Sequence, residues 1–482
     1  MKDFRIRKQP MRAASYIMIC SLMFCLSVTG QENKAPITLE YCIETALQKN
    51  LDLKSAHLKT STSRVNYRQS RLNLLPGANA NYNLGVTNGR SIDPYTNSYL
   101  DQRLTFSNAG LQINAVVFNG FRLLNTIRQN RYRLKASEME VREAQQNLVL
   151  DVTLGYLQIL NNRELLKQAR TRMQTTRKQL DRLGSLYREG SGNPADYTDM
   201  QGQLALDQAT AIQADNDYKG AVLNLYQLMN TEHIPHTDFA GVEPTDTMSR
   251  YTLSADDVLA DALANLAAFK AKELRLDAAR NGVKVARADY IPQISVFGEL
   301  NTNYSSAARF FNETGTAIEE TGDFVTVDGQ HYPVLREETL RAEEAIRYED
   351  QFNNNLSSAI SISVSVPVFN GFRARNNVAL EKIKAEESRV DLENTRLQLT
   401  RSIEQAYIDM QSAFDRYHIL TAQVTAYEES FRVNEVRFTN GVSNIVEYIT
   451  SKNNMDNARI AQANAKYEYL LRVRVLEYYR GL

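Results

Sequence analysis

Val117 to Arg122 reads VFNGFR, and Val368 to Arg373 reads VFNGFR again. Each copy leads into a helix-like run that closes on a glycine turn, YREG at Tyr187 to Gly190 and FTNG at Phe438 to Gly441. Both marks keep one offset (368 − 117 = 251 and 441 − 190 = 251), so the chain is a tandem duplication with a fixed length between them. About 65 helical residues at 1.5 Å each span on the order of 100 Å, far beyond an ordinary globular helix. A rod held to one length in both copies points to a part that must bridge a distance.

Four stretches between the helical runs switch to a period of two. Ala78 to Val86 sets Ala78, Ala80, Tyr82, Leu84 and Val86 against Asn79, Asn81 and Asn83, and Ala109 to Val117 repeats the pattern with Leu111, Ile113 and Val117 against Gln112 and Asn114. Ile294 to Tyr304 and Leu356 to Val368 do the same, the last with Ile360, Ile362 and Val364 opposite Ser361, Ser363 and Ser365. Strands of about ten residues with one apolar and one small polar face suit a transmembrane β-barrel. A soluble two-sheet domain with one buried face has the same alternation. Four strands cannot close a barrel, because about eight are the fewest that do, and an open edge cannot face lipid. If the strands span a bilayer, several chains share one barrel. Two chains would supply eight strands and three would supply twelve, and arithmetic does not choose.

The helical parts carry their own period. Ile403, Tyr407, Met410, Phe414, Tyr417, Leu420, Val424, Tyr427 and Phe431 repeat about every 3.5 residues, the spacing of packed coiled coils. Shorter helices return after each glycine turn, roughly Ala195 to Met229 and Ile445 to Tyr479, and Leu51 to Asn73 and Ala255 to Ala288 run into prolines, Pro76 and Pro292, that start the strands. The prolines are 216 apart (292 − 76), so the second copy has gained 35 residues (251 − 216) inside its strand pair. The gain falls in an acid-rich stretch, 305–350, expected to be a solvated loop at the barrel mouth. The organisation is a leader at 1–30, a first repeat at 31–230, a linker at 231–252 and a second repeat at 253–482. The fold class is mainly α with a small β part.

Composition supplies an address and several exclusions. Residues 1–30 have basic Lys2, Arg5, Arg7, Lys8 and Arg12 before an apolar stretch, which reads as a secretory signal cleaved near Gln31. Cys20 and Cys25 leave with it, and Cys42 alone remains, so no disulfide framework is expected. Lys plus Arg and Asp plus Glu both number 56, so no net charge draws the chain to nucleic acid. No P-loop, dinucleotide fingerprint or Cys/His zinc spacing occurs, and His233 with His236 lacks a third ligand. No enzyme, no cofactor and no metal is expected.

The repeat, the strands entered at Pro76 and Pro292, the junctions at Asn119, Gly120, Asn370 and Gly371, and the paired turns at Gly190 and Gly441 resemble the outer-membrane efflux protein (TolC-like) family over nearly the whole chain after the leader. The resemblance implies a homotrimer, with a shared 12-stranded barrel in outer-membrane lipid and a coiled-coil α-barrel tunnel in the periplasm. It also implies partners at the periplasmic tip, an adaptor protein bound to an inner-membrane pump, with small-molecule efflux favoured over type I protein secretion. Family members often carry an Asp-Gly-Gly type turn where both copies here have Asn-Gly-Phe, a local departure. The rival reading is a periplasmic coiled-coil scaffold without channel activity.

At the tips Asn193, Pro194, Ala195 and Asp196 align with Asn444, Ile445, Val446 and Glu447, each an N-cap followed three residues on by an acid. Helix capping alone explains both acids. A trimer would also gather them into rings that favour cations. By resemblance Glu447 matches the first of two aspartates in the family's selectivity rings, Thr450 stands at the second, and Asp199 in the first copy is the compensating candidate. Ser443 stands where some relatives place a basic latch residue, so a differently wired latch is expected. Adaptor docking is expected at Tyr187, Gly190, Gly192, Phe438, Gly441 and Val442.

Overall fold

The computed structural model describes residues 36–481 apart from 93–96, 98, 102, 235–237 and 242–247. The expected leader and His236 lie outside the described residues. The first copy runs α1 (Leu39–Lys49), α2 (Leu51–Leu72), β1 (Gly77–Thr87), β2 (Arg90–Ile92), β3 (Tyr99–Asp101), β4 (Leu104–Asn119), α3 (Arg122–Arg188) and α4 (Pro194–Met229). The second runs α5 (Ala255–Asn265), α6 (Ala267–Arg287), a 3-10 turn (Ala288–Tyr290), β5 (Gln293–Ser305), β6 (Arg309–Val327), β7 (Gln330–Ala345), α7 (Tyr348–Asn354), β8 (Ser357–Ser365), α8 (Arg373–Thr439) and α9 (Ile445–Tyr479). The rods α3 and α8 are each 67 residues, about 100 Å at 1.5 Å per residue.

Their common length begins in the VFNGFR turn. Gly120 and Phe121 have φ of 63° and 61°, and Gly371 and Phe372 have 62° and 60°, so two successive left-handed residues swing the chain from strand into helix. The Arg373 N–H donates to the Asn370 carbonyl at 3.2 Å and closes this type I′ geometry. Phenylalanine in that region is disfavoured by about 1–2 kcal/mol. An edge-to-face ring contact accompanies it in both copies, Phe118 with Phe121 at 5.4 Å and Phe369 with Phe372 at 5.8 Å. The Asn119 side chain accepts the Leu123 N–H at 3.3 Å, serving a helix whose first residue has no side-chain cap.

Three apolar clusters hold the rods together. Tyr156, Ile159 and Leu160 of α3 pack with Cys42 and Ala46 of α1 and with Leu225 and Met229 of α4, while Ile403 and Met410 of α8 pack with Val258 of α5 and with Tyr469 and Leu476 of α9. A third cluster near the tips joins Leu183 and Met200 of the first copy to Phe431, Tyr448 and Met455 of the second. Burial pushes the Cys42 thiol up to about 12, which makes it inert packing.

The main sheet has the order β1-β4-β5-β8, all antiparallel. Register brings the apolar sets onto one face, with Leu111 opposite Leu300 and Val296 opposite Ile362. The other face carries Asn79, Gln112, Ser295 and Ser363. The apolar face is open, with Ile360 85% and Ile362 70% exposed. Both outer edges, β1 and β8, lack a partner strand among the described residues.

Three expectations are corrected. The stretch 305–350 is not a loop: β6 and β7 form a long ribbon that turns at Asp328 and Gly329, both with positive φ. Aromatic and β-branched residues such as Phe310, Phe311, Ile318, Phe324, Val325 and Val327 favour strand, and Asp-Gly is a two-residue hairpin turn. The helix expected over Ala255 to Ala288 breaks at Leu266, whose ψ of 121° separates α5 from α6. Asn50 breaks α1 from α2 at the corresponding place (266 − 50 = 216), where its side chain caps α2 by accepting the Leu53 N–H at 3.0 Å. Finally, β8 stops at Ser365 rather than reaching Val368, because Pro367 has no N–H to give to a ladder.

Candidate functional site

Each tip is a helical hairpin closed by the same set of bonds. The Gly190 N–H reaches the Tyr187 carbonyl at 3.1 Å and the Ser191 N–H reaches that of Leu186 at 3.1 Å. Gly441 to Phe438 at 3.1 Å and Val442 to Arg437 at 2.8 Å repeat them. With Gly190 at φ 73° and Gly441 at 72°, both are Schellman stops that only glycine adopts freely. Gly192 answers a different need: a Cβ there would lie 2.7 Å from the Tyr187 backbone nitrogen. Aromatic stacks span both hairpins, Tyr187 on Tyr197 at 5.5 Å and Phe438 on Tyr448 at 4.8 Å. Tyr448 is fully buried, and burial raises its hydroxyl pKa. Tyr187 and Val442 are exposed, whereas Phe438 is half-buried.

The three candidate gate acids sit differently. Asp196 accepts the Asn193 side-chain N–H at 3.1 Å, and Asn193 caps α4 by accepting the Ala195 N–H at 3.1 Å. Glu447 accepts the Ser443 hydroxyl at 2.7 Å and gives its own N–H to the Asn444 side chain at 2.8 Å, with Arg437 4.0 Å away. Ser443 thus engages the acid of its own turn and not Asp196. Asp199 is exposed on the next turn of α4. No hydrogen bond or ion pair joins Asp196, Asp199 and Glu447 to one another among the described residues. What does link the two hairpins at the tip is Arg182 of α3, whose guanidinium donates to the Thr439 hydroxyl at 3.1 Å and carbonyl at 2.9 Å.

Farther up lies a buried ionic cluster absent from the sequence reading. Asp207 of α4 and Lys452 of α9 are almost wholly buried. Asp207 accepts from Arg172 at 2.7 Å, Thr176 at 2.5 Å and Gln203 at 2.8 Å, and the Lys452 ammonium lies 2.8 Å from Asp456 and 3.4 Å from Asp207. Burial raises the Asp207 carboxyl pKa, but the Thr176 hydrogen bond and the charges of Lys452 and Arg172 outweigh it and leave the group below its ordinary value. The cluster clamps the first hairpin to the second about 20 Å from the tip, 13 residues along α4 (207 − 194). A sequence signal exists: Gln203 and Asp207, and Lys452 and Asp456, are polar pairs at i, i+4 on stripes where Met200, Ala211, Tyr448 and Met455 are apolar core.

At the opposite end the strand-to-helix junctions face a groove lined by Asn119, Arg122, Asp289, Gln293, Ser365 and Asn370. Arg122 pairs with Asp289, which also accepts the Asn377 side chain at 3.2 Å. A Cβ on Gly120 would meet the Ile291 side chain at 2.7 Å, while Gly371 has nothing within 4 Å. No cluster of His, Cys, Asp or Glu among the described residues has the makings of a metal site.

Lipid-length strands with one apolar face, rooted through fixed turns on rods about 100 Å long and ending in capped tips, define a membrane channel with a helical tunnel. The chain belongs to the outer membrane efflux protein family, whose sequence profile matches residues 42–231 and 258–481. It is 20% identical to the outer membrane protein TolC of Escherichia coli (strain K12) over 78% of this chain and 70% of that protein. It is also 20% identical to the alkaline protease secretion protein AprF of Pseudomonas aeruginosa, over 72% of this chain and 64% of that protein. Its fold matches a crystal structure of CusC with a TM-score of 0.74 at 16% identity, covering 92% of each chain. It also matches the Campylobacter jejuni CmeC outer membrane channel, with a TM-score of 0.73 at 15% identity, covering 100% of this chain and 94% of that one. The protein is an outer-membrane efflux channel with its helical tunnel in the periplasm, and it is a transport protein, not an enzyme.

Proposed function

We propose that three copies of this chain close one twelve-stranded barrel and one tunnel, through which an inner-membrane pump and its periplasmic adaptor export small molecules. The observation that carries the reading is the pair of open edges, β1 and β8, together with a repeat that fixes how they meet. Within the chain Gly77 opposite Asn114 becomes Gln293 opposite Ser365 when 216 is added to the first and 251 to the second. The same shifts carry Gly85 opposite Phe106 onto Asn301 opposite Ser357. Applied to the internal β4–β5 seam, where Ile113 faces Gly298, they set Val364 opposite Tyr82 of the partner subunit. The same register sets Ile362 opposite Leu84 of the partner subunit and Ser363 opposite Asn83 of the partner subunit. Apolar meets apolar and polar meets polar, which a one-residue slip would reverse. Three copies is the number the family resemblance implies.

The tips at Tyr187, Gly190, Gly192, Phe438, Gly441 and Val442 are the proposed adaptor contacts, and Asp196, Asp199 and Glu447 the proposed gate. Asn, Gln and Ser on the wet face of the sheet suit solutes of mixed chemistry. The name of the AprF relative favours secreted protein as a second cargo. The test is a disulfide across the seam. Tyr82→Cys with Val364→Cys should give reducible, detergent-resistant trimers under mild oxidation, and neither change alone should. Tyr82→Cys with Ser363→Cys, on opposite faces, should not cross-link. A chain that stays monomeric in both pairings would favour the scaffold.

A further inference from the structure

The helices just below the sheet carry a charge pattern that the channel reading does not use. The polar sheet face continues onto the helix faces that line the junction groove, since Gln293 and Ser365 share it with Arg122, Asp289 and Asn377. On α6 that side is made of Arg275, Ala278, Ala279, Gly282, Val285 and Ala286, its one cation held by Glu140 at 2.7 Å. At 100° per residue, Arg280, Lys284 and Arg287 fall about 140–160° away from Gly282, on the continuation of the apolar, lipid-side face. All three are exposed.

The first copy repeats the triad. Arg64, Arg68 and Arg71 stand 216 residues before Arg280, Lys284 and Arg287, at the same i, i+4, i+7 spacing, and all three are exposed. Between 61–75 and 277–291 the two helices share only Arg64/Arg280 and Arg71/Arg287 as identities, with Arg68/Lys284 keeping its charge. The duplication has kept the cations while everything around them changed. Arg128 and Arg131 on α3 and Arg375 and Lys382 on α8 lie on the same outer side and are also exposed. Of the six repeated cations, Arg64 has Glu138 at 4.0 Å and Arg280 has Asp277 at 3.3 Å. No ion pair to Arg68, Arg71, Lys284 or Arg287 occurs among the described residues. Arg71 and Arg287 each precede the strand-starting proline by five residues (76 − 71 and 292 − 287), about 7.5 Å along a helix. With the bilayer surface taken at those prolines, Arg71 and Arg287 lie within one Debye length of it, and Arg68 and Lys284, about 12 Å away, just beyond.

We infer that this duplicated basic belt binds the headgroup phosphates of anionic phospholipid in the periplasmic leaflet and sets the depth at which the barrel sits. The inference rests on the apolar sheet face meeting lipid, as proposed above. Basic residues at that depth gain from an anionic surface by about fivefold in binding each. A zwitterionic surface offers no net charge and a much smaller gain.

The test uses the purified full chain in detergent, titrated with phosphatidylglycerol or phosphatidylcholine in mixed micelles while its thermal unfolding is followed. Half-maximal stabilisation should need at least about tenfold less phosphatidylglycerol than phosphatidylcholine, and salt near 0.5 M should narrow the gap. Inorganic phosphate at matched concentration should not stabilise. R68Q/R71Q/K284Q/R287Q should lose the preference, and R133Q/K384Q on the wet side should keep it. A wild-type protein with no preference, or a fourfold variant that retains it, overturns the inference. Should the fourfold variant not fold, the wild-type salt titration and R68K/R71K/R287K, which must keep the preference, still decide. A protein that cross-links at 82 and 364 yet ignores lipid charge sinks the belt alone, whereas failure to cross-link sinks the barrel seam itself.

Discussion

Asp207→Asn is the most informative single change in the tunnel. It keeps the shape of a fully buried side chain and removes its charge, leaving Arg172 and Lys452 to share Asp456. Removing one partner from a buried ionic cluster costs about 3–5 kcal/mol, because the cations left behind are neither hydrated nor matched. Asp207 is inaccessible to solvent, so no screening reduces that figure. The loss should be local, since the clamp joins α3 and α4 to α9 while the Tyr156 and Tyr469 clusters hold the rods elsewhere. At 3 kcal/mol, amide exchange through local opening should quicken about 150-fold around 203–211 and 448–456 and stay unchanged around 152–160. Adding Lys452→Met restores the balance of charge, Arg172 against Asp456 at 3.5 Å, and should recover at least about 1 kcal/mol of the loss. The same reasoning fixes a pH dependence. Asp207 is depressed in the fold, so its contribution is complete above its ordinary value of 3.8 and is lost as pH falls through the lower folded value. The protection factor here, exchange taken relative to the base-catalysed intrinsic rate at each pH, should hold steady from pH 7 to 5 and fall only below about 4. An Asp207→Asn protein with exchange within about fivefold of wild type, or a double variant worse than the single, would refute the clamp.

Glu447→Gln removes the charge that Ser443 and Arg437 face, and planar-bilayer recordings should show weaker cation preference; unchanged selectivity removes Glu447 from the gate. Gly441→Trp adds bulk at an exposed turn with nothing within 4 Å and about 1–2 kcal/mol of positive-φ strain, which Gly441→Ala carries without the bulk; trimers should survive in both while export falls further with Trp, and normal export would remove this turn from the docking surface. Gly120→Ala and Gly371→Ala both force alanine to positive φ, a strain of about 1 kcal/mol. Within one chain only Gly120 also meets Ile291, but in the proposed trimer the repeat would set Leu75 of the partner subunit against Gly371 (291 − 216 = 75). Thermal melts of the assembled protein should therefore fall by similar amounts for the two, and a clearly milder Gly371→Ala would argue against that seam.

The parts of the fold that were legible are those where one residue type does one backbone job. Glycine at 190 and 441 stops a helix, Pro76 and Pro292 end one and start a strand, and a period of two over Ile360 to Val364 separates a wet face from a greasy one. The ribbon at 309–345 was obscured because eleven acids between 305 and 350 mimic a solvated loop by composition. Its aromatic and β-branched residues and Asp328-Gly329 carried the truer signal. The break at Leu266 has no glycine or proline to announce it, yet the repeat maps it onto the Asn50 cap, and Ser254, which caps α5, onto Thr38, which caps α1. The buried cluster was only half legible: the polar pairs Gln203/Asp207 and Lys452/Asp456 stand out on apolar stripes, but nothing in them says what they meet. Arg172, Asp207, Lys452 and Asp456 come from three helices, and no spacing within one helix says that charges on another will meet them. Their counterparts 251 residues away are Gln423, Ala458, Gln201 and Ala205, so the repeat that explains so much else is silent here.

That asymmetry extends to the seams on which assembly depends. A closed ring built from this chain alternates two kinds of junction, one inside each chain and one between chains. Inside, Arg122 pairs with Asp289, whose carboxylate is about three-quarters shielded from solvent. Between chains of the proposed trimer the repeat would set Arg373 (122 + 251) beside the counterpart of Asp289, which is Asn73 of the partner subunit (289 − 216). An amide replaces the carboxylate, so the proposed seam between chains would lack the ion pair that its twin within the chain has. Asn73→Asp should restore it. A half-exposed pair contributes about 0.2–1 kcal/mol, and three seams form together, so the trimer should gain on the order of 1–3 kcal/mol. Detergent-resistant trimers should then dissociate at a higher temperature at low salt, with the gain shrinking as salt is added. Arg373→Gln in the same background should abolish the gain, because the new aspartate then has no cation to meet. A gain that survives that second change, or none at all in protein that cross-links normally between 82 and 364, would mean that the two seams are not built alike.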